Sequence, residues 1–226
     1  VRALPGRRLS GTRLVADPGW RATSRGIGTV FSGGNDEFNL EGIDDAFYAM
    51  TPPFSIEVIW EAASVLLGFG GIVSFRKAGQ AGAHLAAGTG STTAFQPNLV
   101  PLSAADVELA NWRGANTFTA PFTKQFVATY DGSTGKIYAD GVDQAATNIG
   151  ALGYGTATSI RIGRNVFARQ QGVVTKVALY PRVVTDALWL FAEPYTAFRP
   201  IIRRRYFVPA GVSTAPPLRT LLGVGR

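Results

Sequence analysis

The 226-residue chain has no cysteine, one histidine and one methionine. Without thiols there is no disulfide framework, no thiolate metal ligand and no cysteine nucleophile. With His84 as the single histidine, no two-histidine metal site exists, and a Ser-His-Asp arrangement would rest on that one residue. It lies in the Gly/Ala stretch from Gly79 to Gly90, where a loop or surface position is expected. Charged residues are scarce at 16 % against 46 % hydrophobic, a composition that buries a sizeable core and does not fit a disordered chain. No apolar run reaches the about 18 residues that a membrane span needs. Val1 to Arg8 carries charge and proline where a secretory signal would place an apolar stretch, so no signal peptide is expected there. A Walker-type loop and a dinucleotide fingerprint are both missing, since Gly33-Gly34 and Gly70-Gly71 do not lead into helices.

Glycine and proline, at 27 and 13 residues, are plentiful. They supply positive φ and fixed φ to tight turns, which favours many short β elements over helices. The net charge is +7, and the arginines gather at the ends. Arg2, Arg7, Arg8, Arg13, Arg21 and Arg25 lie near the start, and Arg199, Arg203, Arg204, Arg205, Arg219 and Arg226 near the end. Residues 1–28 read as a basic arm without period, residues 29–198 as the folded body and residues 199–226 as a second basic arm.

Within the body, Thr29-Val30-Phe31 and Glu37-Phe38-Asn39-Leu40 flank a Gly/Asn turn cluster. In Phe54 to Glu61, Phe54, Ile56, Val58 and Trp60 share one face of a strand, with Ser55, Glu57 and Glu61 opposite. Ile72 to Arg76 is the expected partner strand. Residues 91–117 show no strong period beyond Val107-Glu108-Leu109. Phe126 to Tyr130 and Lys136 to Asp140, joined by Asp131-Gly132-Ser133-Thr134-Gly135, read as a hairpin, and Asp140-Gly141 as a second turn. Ser159 to Gly163 and Gly172 to Tyr180 are further strands, the last with Val173, Thr175, Val177 and Leu179 on one side. Thr185 to Glu193 is the single good helix pattern, capped by Thr185 and ended by Pro194.

The order and spacing of the hairpin, Ile160 to Arg164, Gly172 to Arg182 and the helix resemble the C-terminal half of a laminin G-like domain, and Phe54 to Trp60 resembles an earlier strand of that family. The resemblance covers roughly residues 29–198. It implies an all-β, antiparallel two-sheet jelly-roll sandwich with one short C-terminal helix and extended terminal arms. Such a sandwich hosts many functions, so the fold alone does not choose among them.

Glu57 and Glu61 fall on one face and resemble part of the carboxylate pattern of concanavalin-like glucanases, but Ile59 occupies the central position. Paired carboxylates are what glycoside hydrolysis needs, so two glutamates on a solvated face is the expectation and no catalytic residue is assigned. Asp131, Asp140 and Asp143 each sit in or beside a glycine turn, where hydrogen bonding to the backbone is the expected duty rather than calcium binding. No metal and no cofactor are expected. Arg199, Arg203, Arg204, Arg205, Tyr206 and Phe207 are the candidate docking residues, because arginines interleaved with apolar side chains fit an extended segment joining a neighbour's sheet. Nucleic acid is not the expected partner. Similar domains with arginine-rich tails occur in bacteriophages, which implies a non-enzymatic virion component, such as a capsid decoration protein, that docks on other virion proteins such as a major capsid protein and forms a homo-oligomer. The alternative is a carbohydrate-binding module holding a host-surface glycan through Trp112 or Tyr154.

Overall fold

A computed structural model of the chain describes residues 12–15, 20–23, 26–32, 37–40, 50–62, 71–75, 79, 81–87, 94–105, 107–151, 160–162 and 171–184. These residues form strands, turns and loops, with no helix among them. In chain order the strands are β1 (Thr12–Val15), β2 (Trp20–Thr23), β3 (Gly26–Ser32), β4 (Glu37–Leu40), β5 (Phe54–Ala62), β6 (Gly71–Phe75), β7 (Gly82–Ala87) and β8 (Ala94–Phe95). They continue as β9 (Pro97–Leu102), β10 (Trp112–Arg113), β11 (Phe118–Thr119), β12 (Phe122–Tyr130), β13 (Gly135–Ala139), β14 (Val142–Asp143), β15 (Thr147–Asn148), β16 (Ile160–Ile162) and β17 (Gln171–Tyr180). One sheet has eight strands in the order β1-β4-β16-β6-β7-β9-β10-β15, and a second has seven in the order β14-β13-β12-β5-β17-β3-β2. β8 and β11 form a separate pair. The expected all-β antiparallel sandwich is therefore what the chain forms, while the helix pattern at Thr185 to Glu193 lies outside the described residues.

Alternation builds the core. Phe54, Ile56, Val58 and Trp60 of β5 join Phe126 and Ala128 of β12 and Ile137 of β13, and meet Val73, Phe75, Leu85 and Leu99 of the eight-stranded sheet in one buried cluster. Trp60, Phe95, Phe122 and Phe126 make tilted and edge-on ring pairs with centroids 4.8 to 6.3 Å apart. Such pairs add about 0.5–1.5 kcal/mol each beyond the area they bury. The expected hairpin is present: β12 pairs β13 from Phe126↔Ala139 to Tyr130↔Gly135. At its tip Asp131 Oδ1 accepts from the backbone N–H groups of Ser133 and Thr134, each at 2.7 Å. Those bonds hold the Asp131 carboxyl below the usual range. Asp140 and Gly141, at φ 47° and 83°, turn β13 into β14, and Asp143 Oδ1 accepts from the Ala145 N–H. Asp131 and Asp143 thus do the turn work expected of them.

Four expectations change. Thr12–Val15 and Trp20–Thr23, placed in an irregular arm, are strands that pair with β4 and β3; a four-residue edge strand is too short to leave a readable period. β6 pairs with β7 and β16 rather than with β5. In β17 the register shifts between Val174 and Lys176, so Val174, Val177 and Leu179 face the core and Val173 does not share their side. A bulge adds one residue and inverts the alternation beyond it, which no strict period-2 reading anticipates. His84, expected in a loop or at the surface, is fully buried in β7. The small neighbours Gly82, Ala83, Ala86 and Ala87 hide the strand from a hydrophobicity pattern while leaving it room to pack.

Candidate functional site

Each sheet has a second face, turned away from the shared core, and polar groups are buried on both. On the seven-stranded sheet that face centres on Glu57. β12 and β17 flank β5, placing Gln125, Lys176 and Tyr180 diagonal to Glu57. The fully buried carboxylate accepts hydrogen bonds from Gln125 Nε2 at 2.5 Å, Lys176 Nζ at 2.7 Å and Tyr180 Oη at 2.6 Å. Burial, and then the bonded Glu57 carboxylate, push the Tyr180 hydroxyl well above the ordinary tyrosine range. Nearby, Ser55 Oγ donates to the Arg182 carbonyl at 2.8 Å and accepts from the Val184 N–H at 3.0 Å, so residues 182–184 lie over this face. Glu61 pairs with Arg21 of β2. The expectation of two solvated glutamates is corrected for Glu57: it is an interior anion whose lone pairs are taken up by three side chains.

The eight-stranded sheet is organised differently. Leu85 and Leu99 face the core, so His84 and Ala86 of β7, and Asn98, Val100 and Leu102 of β9, face away. Trp112 packs against the core, which turns its neighbours Asn111 and Arg113 to the same outward face. Arg113 is in register with Asn98, and Trp112 with Leu99. Across β7, His84 Nδ1 and Ser74 Oγ are 2.7 Å apart, both fully buried.

Asn98 and Asn111 are fully buried, yet neither the oxygen nor the nitrogen of either side-chain amide has a hydrogen-bond partner among the described residues. The Nε of half-buried Arg113 is also enclosed and unpartnered. A buried polar atom without a partner costs about 1–3 kcal/mol, and native proteins hold few of them. Of the buried side-chain polar atoms with no partner among the described residues, one more, Trp112 Nε1, lies on the core side of the same β10.

The backbone beneath these side chains is well tied. The Gly114 N–H donates to the Pro97 carbonyl at 2.9 Å, the Ile149 N–H to the Asn111 carbonyl at 2.8 Å, and the Asn111 N–H to Asn148 Oδ1 at 3.2 Å. Pro97 and Pro101 aim their carbonyls at this side of β9, toward Gly114 and Leu109. In an antiparallel strand the N–H of those residues would point the same way, and proline has none, so pairing between β9 and β10 is confined to two residues. Trp112, expected to offer a ring to a glycan, is half-buried, and its ring lies so close over Gly135 that a Cβ there would overlap it. Tyr154, Arg199, Arg203, Arg204, Arg205, Tyr206 and Phe207 lie outside the described residues. Among the described residues no group of three His, Cys, Asp or Glu side chains is placed to hold a metal, and no helix is long and apolar enough to cross a membrane.

The architecture defines a class before any relative is considered: an antiparallel β-sandwich whose two outer faces both bury polar side chains. No protein-family model and no curated protein matches the chain. Among solved structures it is similar to domain 4 of AbnA, a GH43 extracellular arabinanase from Geobacillus stearothermophilus solved in complex with arabinotriose. That match has a TM-score of 0.55 and 13 % identity, over 76 % of this chain and 79 % of the domain. It is also similar to the binding domain of botulinum neurotoxin serotype G, at TM-score 0.56 and 12 % identity, over 81 % of this chain. The binding domain of Paraclostridial Mosquitocidal Protein 1 gives 0.55 and 9 % over 80 %. The chain spans 47 % of each of those two toxin domains. At such identities the likeness is one of fold.

Proposed function

We propose that this chain is a non-enzymatic binding domain of the laminin G and concanavalin-like kind that holds a glycan on the outer face of its eight-stranded sheet. The observation that carries this reading is the grouping of Asn98 on β9, Arg113 on β10 and Asn111 just before β10, with both amides and the Arg113 Nε enclosed and without partners among the described residues. An amide presents a donor and an acceptor side by side, the complement of neighbouring sugar hydroxyls, and a hydroxylated ligand that enters between the strands and their cover would satisfy the unpartnered atoms. The similarity to an arabinanase domain solved with arabinotriose adds support. The two sheet glutamates are each held by a cation, which favours a structural duty for them over catalysis.

A glycan array probed with the full chain tests the reading. Saturable binding that falls about tenfold or more in the Asn98→Ala, Asn111→Ala double variant, with the thermal transition retained, is the expected result. Binding indifferent to those two residues, or no bound glycan at all, removes the reading.

The arginine-rich ends favour a setting for that domain: a virion surface component whose residues 199–226 dock on a capsid protein. Deletion of residues 199–226 should abolish incorporation into particles, and undiminished incorporation would exclude this setting.

A further inference from the structure

Resting on the glycan reading of this face, we infer that the sugar it selects carries a carboxylate, and that Arg113 is the residue that reads it. Arg113 stands between Asn98 on β9 and Thr147 on β15, each in direct register with it. Directly paired residues lie about 5 Å apart, and Asn111, two residues along, stands about 7 Å away. The two amides and the guanidinium therefore fall within the span of one sugar ring and its substituents.

The charge balance of the face decides what kind of sugar. Arg113 makes no ion pair with any described carboxylate, although a half-buried guanidinium with an enclosed Nε gains most from an anionic partner. Among the described residues, the carboxylate placed on this side of β9 is that of Glu108, bridged to Leu102. Leu102 is four residues along β9 from Asn98, which puts it about 13 Å from the Arg113 pairing. It is too distant to neutralise Arg113, and Asn98 and Asn111 bring no charge. Beyond Asn98 this face continues with the apolar Val100 and Ala86, and Thr147, paired with Arg113, brings a neutral hydroxyl, so none of these neighbours balances the guanidinium charge. A planar carboxylate meets the fork of a guanidinium with two parallel hydrogen bonds, while the two amides remain for ring hydroxyls. The chain's net charge of +7 draws acidic polymers toward it before the contact forms.

The test compares matched oligosaccharides, a uronic acid oligomer and the same oligomer with its carboxyls methyl-esterified, by titration calorimetry on the full chain. The acid should bind about tenfold tighter, a preference of the size that one charge-assisted contact supplies. Arg113→Gln should erase the preference and keep binding of the ester, whereas Asn98→Ala should weaken both ligands alike. Arg113→Lys should restore part of the preference for the acid, since charge returns but the planar fork does not. Equal affinity of wild type for acid and ester overturns the inference and leaves the glycan reading standing. Failure to bind either oligomer, together with an array on which only neutral sugars are retained, also overturns it. An Arg113→Gln variant that keeps the full preference for the acid overturns the role of Arg113.

Discussion

The two outer faces of the sandwich solve the same problem in opposite ways. On the seven-stranded sheet, the fully buried Glu57 has its carboxylate met by Gln125, Lys176 and Tyr180, so the charge is compensated within the fold. On the eight-stranded sheet, Asn98 and Asn111 are equally buried, and their side-chain amides meet no partner among the described residues. A satisfied buried network stabilises and specifies a fold, whereas unsatisfied polar groups are tolerated where another purpose offsets their cost. The first face thus reads as architecture, and the second is the face on which the proposed glycan site is placed.

The sharpest way to break this contrast is Glu57→Ala. It leaves an ammonium, a phenol and an amide without their acceptor and should lower stability by about 2–3 kcal/mol in urea unfolding. That is below the range for a fully buried pair, because the Lys176 side chain is 32 % exposed and water can take over part of its solvation. Stability unchanged within error would show that the network is not structural.

Asn98→Val carries the opposite sign. Removing an unpartnered amide from an enclosed site on a strand should raise stability by up to about 1 kcal/mol while weakening glycan retention. A comparable loss of stability would mean that Asn98 serves the fold and would erase the distinction between the faces.

The smallest effect concerns pH. Because the folded state raises the Tyr180 pKa, its contribution is fully present below the unfolded value of about 10 and fades as pH climbs beyond it. Stability should therefore decline above about pH 10, and Tyr180→Phe should flatten that decline without changing the neutral-pH binding face. An identical alkaline slope in the variant would detach Tyr180 from the network.

The sequence disclosed these two faces unequally. β5 and most of β17 are legible because their apolar residues alternate against polar ones, and the β12–β13 hairpin because two β-prone runs flank the five-residue connector Asp131 to Gly135, with Asp140-Gly141 as a second turn. The face with the open amides is not. Pro97 and Pro101 bracket β9, and two prolines within six residues argue against an inner strand; here their carbonyls still accept bonds while a short β10 tolerates the missing donors. Val100 and Leu102 face the same way as Asn98, so polarity does not alternate and no period appears. Aromatic side chains, Trp112 and Tyr154, drew attention as glycan platforms, whereas the orphaned groups beside Trp112 are two asparagines and an arginine. Only knowledge of which atoms lack partners brings them forward. Glu57 was placed on the correct side of β5 and misjudged for exposure, since one strand's alternation does not report what lies over its second face.

The seat of Trp112 on Gly135 has an evolutionary corollary. With the indole clamped against a backbone that has no Cβ, β10 is anchored from within, and the side chains of Asn111 and Arg113, turned to the other face, take no part in that seat. Position 113, half-buried and next to that seat rather than part of it, can then change with the indole still in place, so the chemistry proposed for Arg113 is free to drift on an unaltered frame.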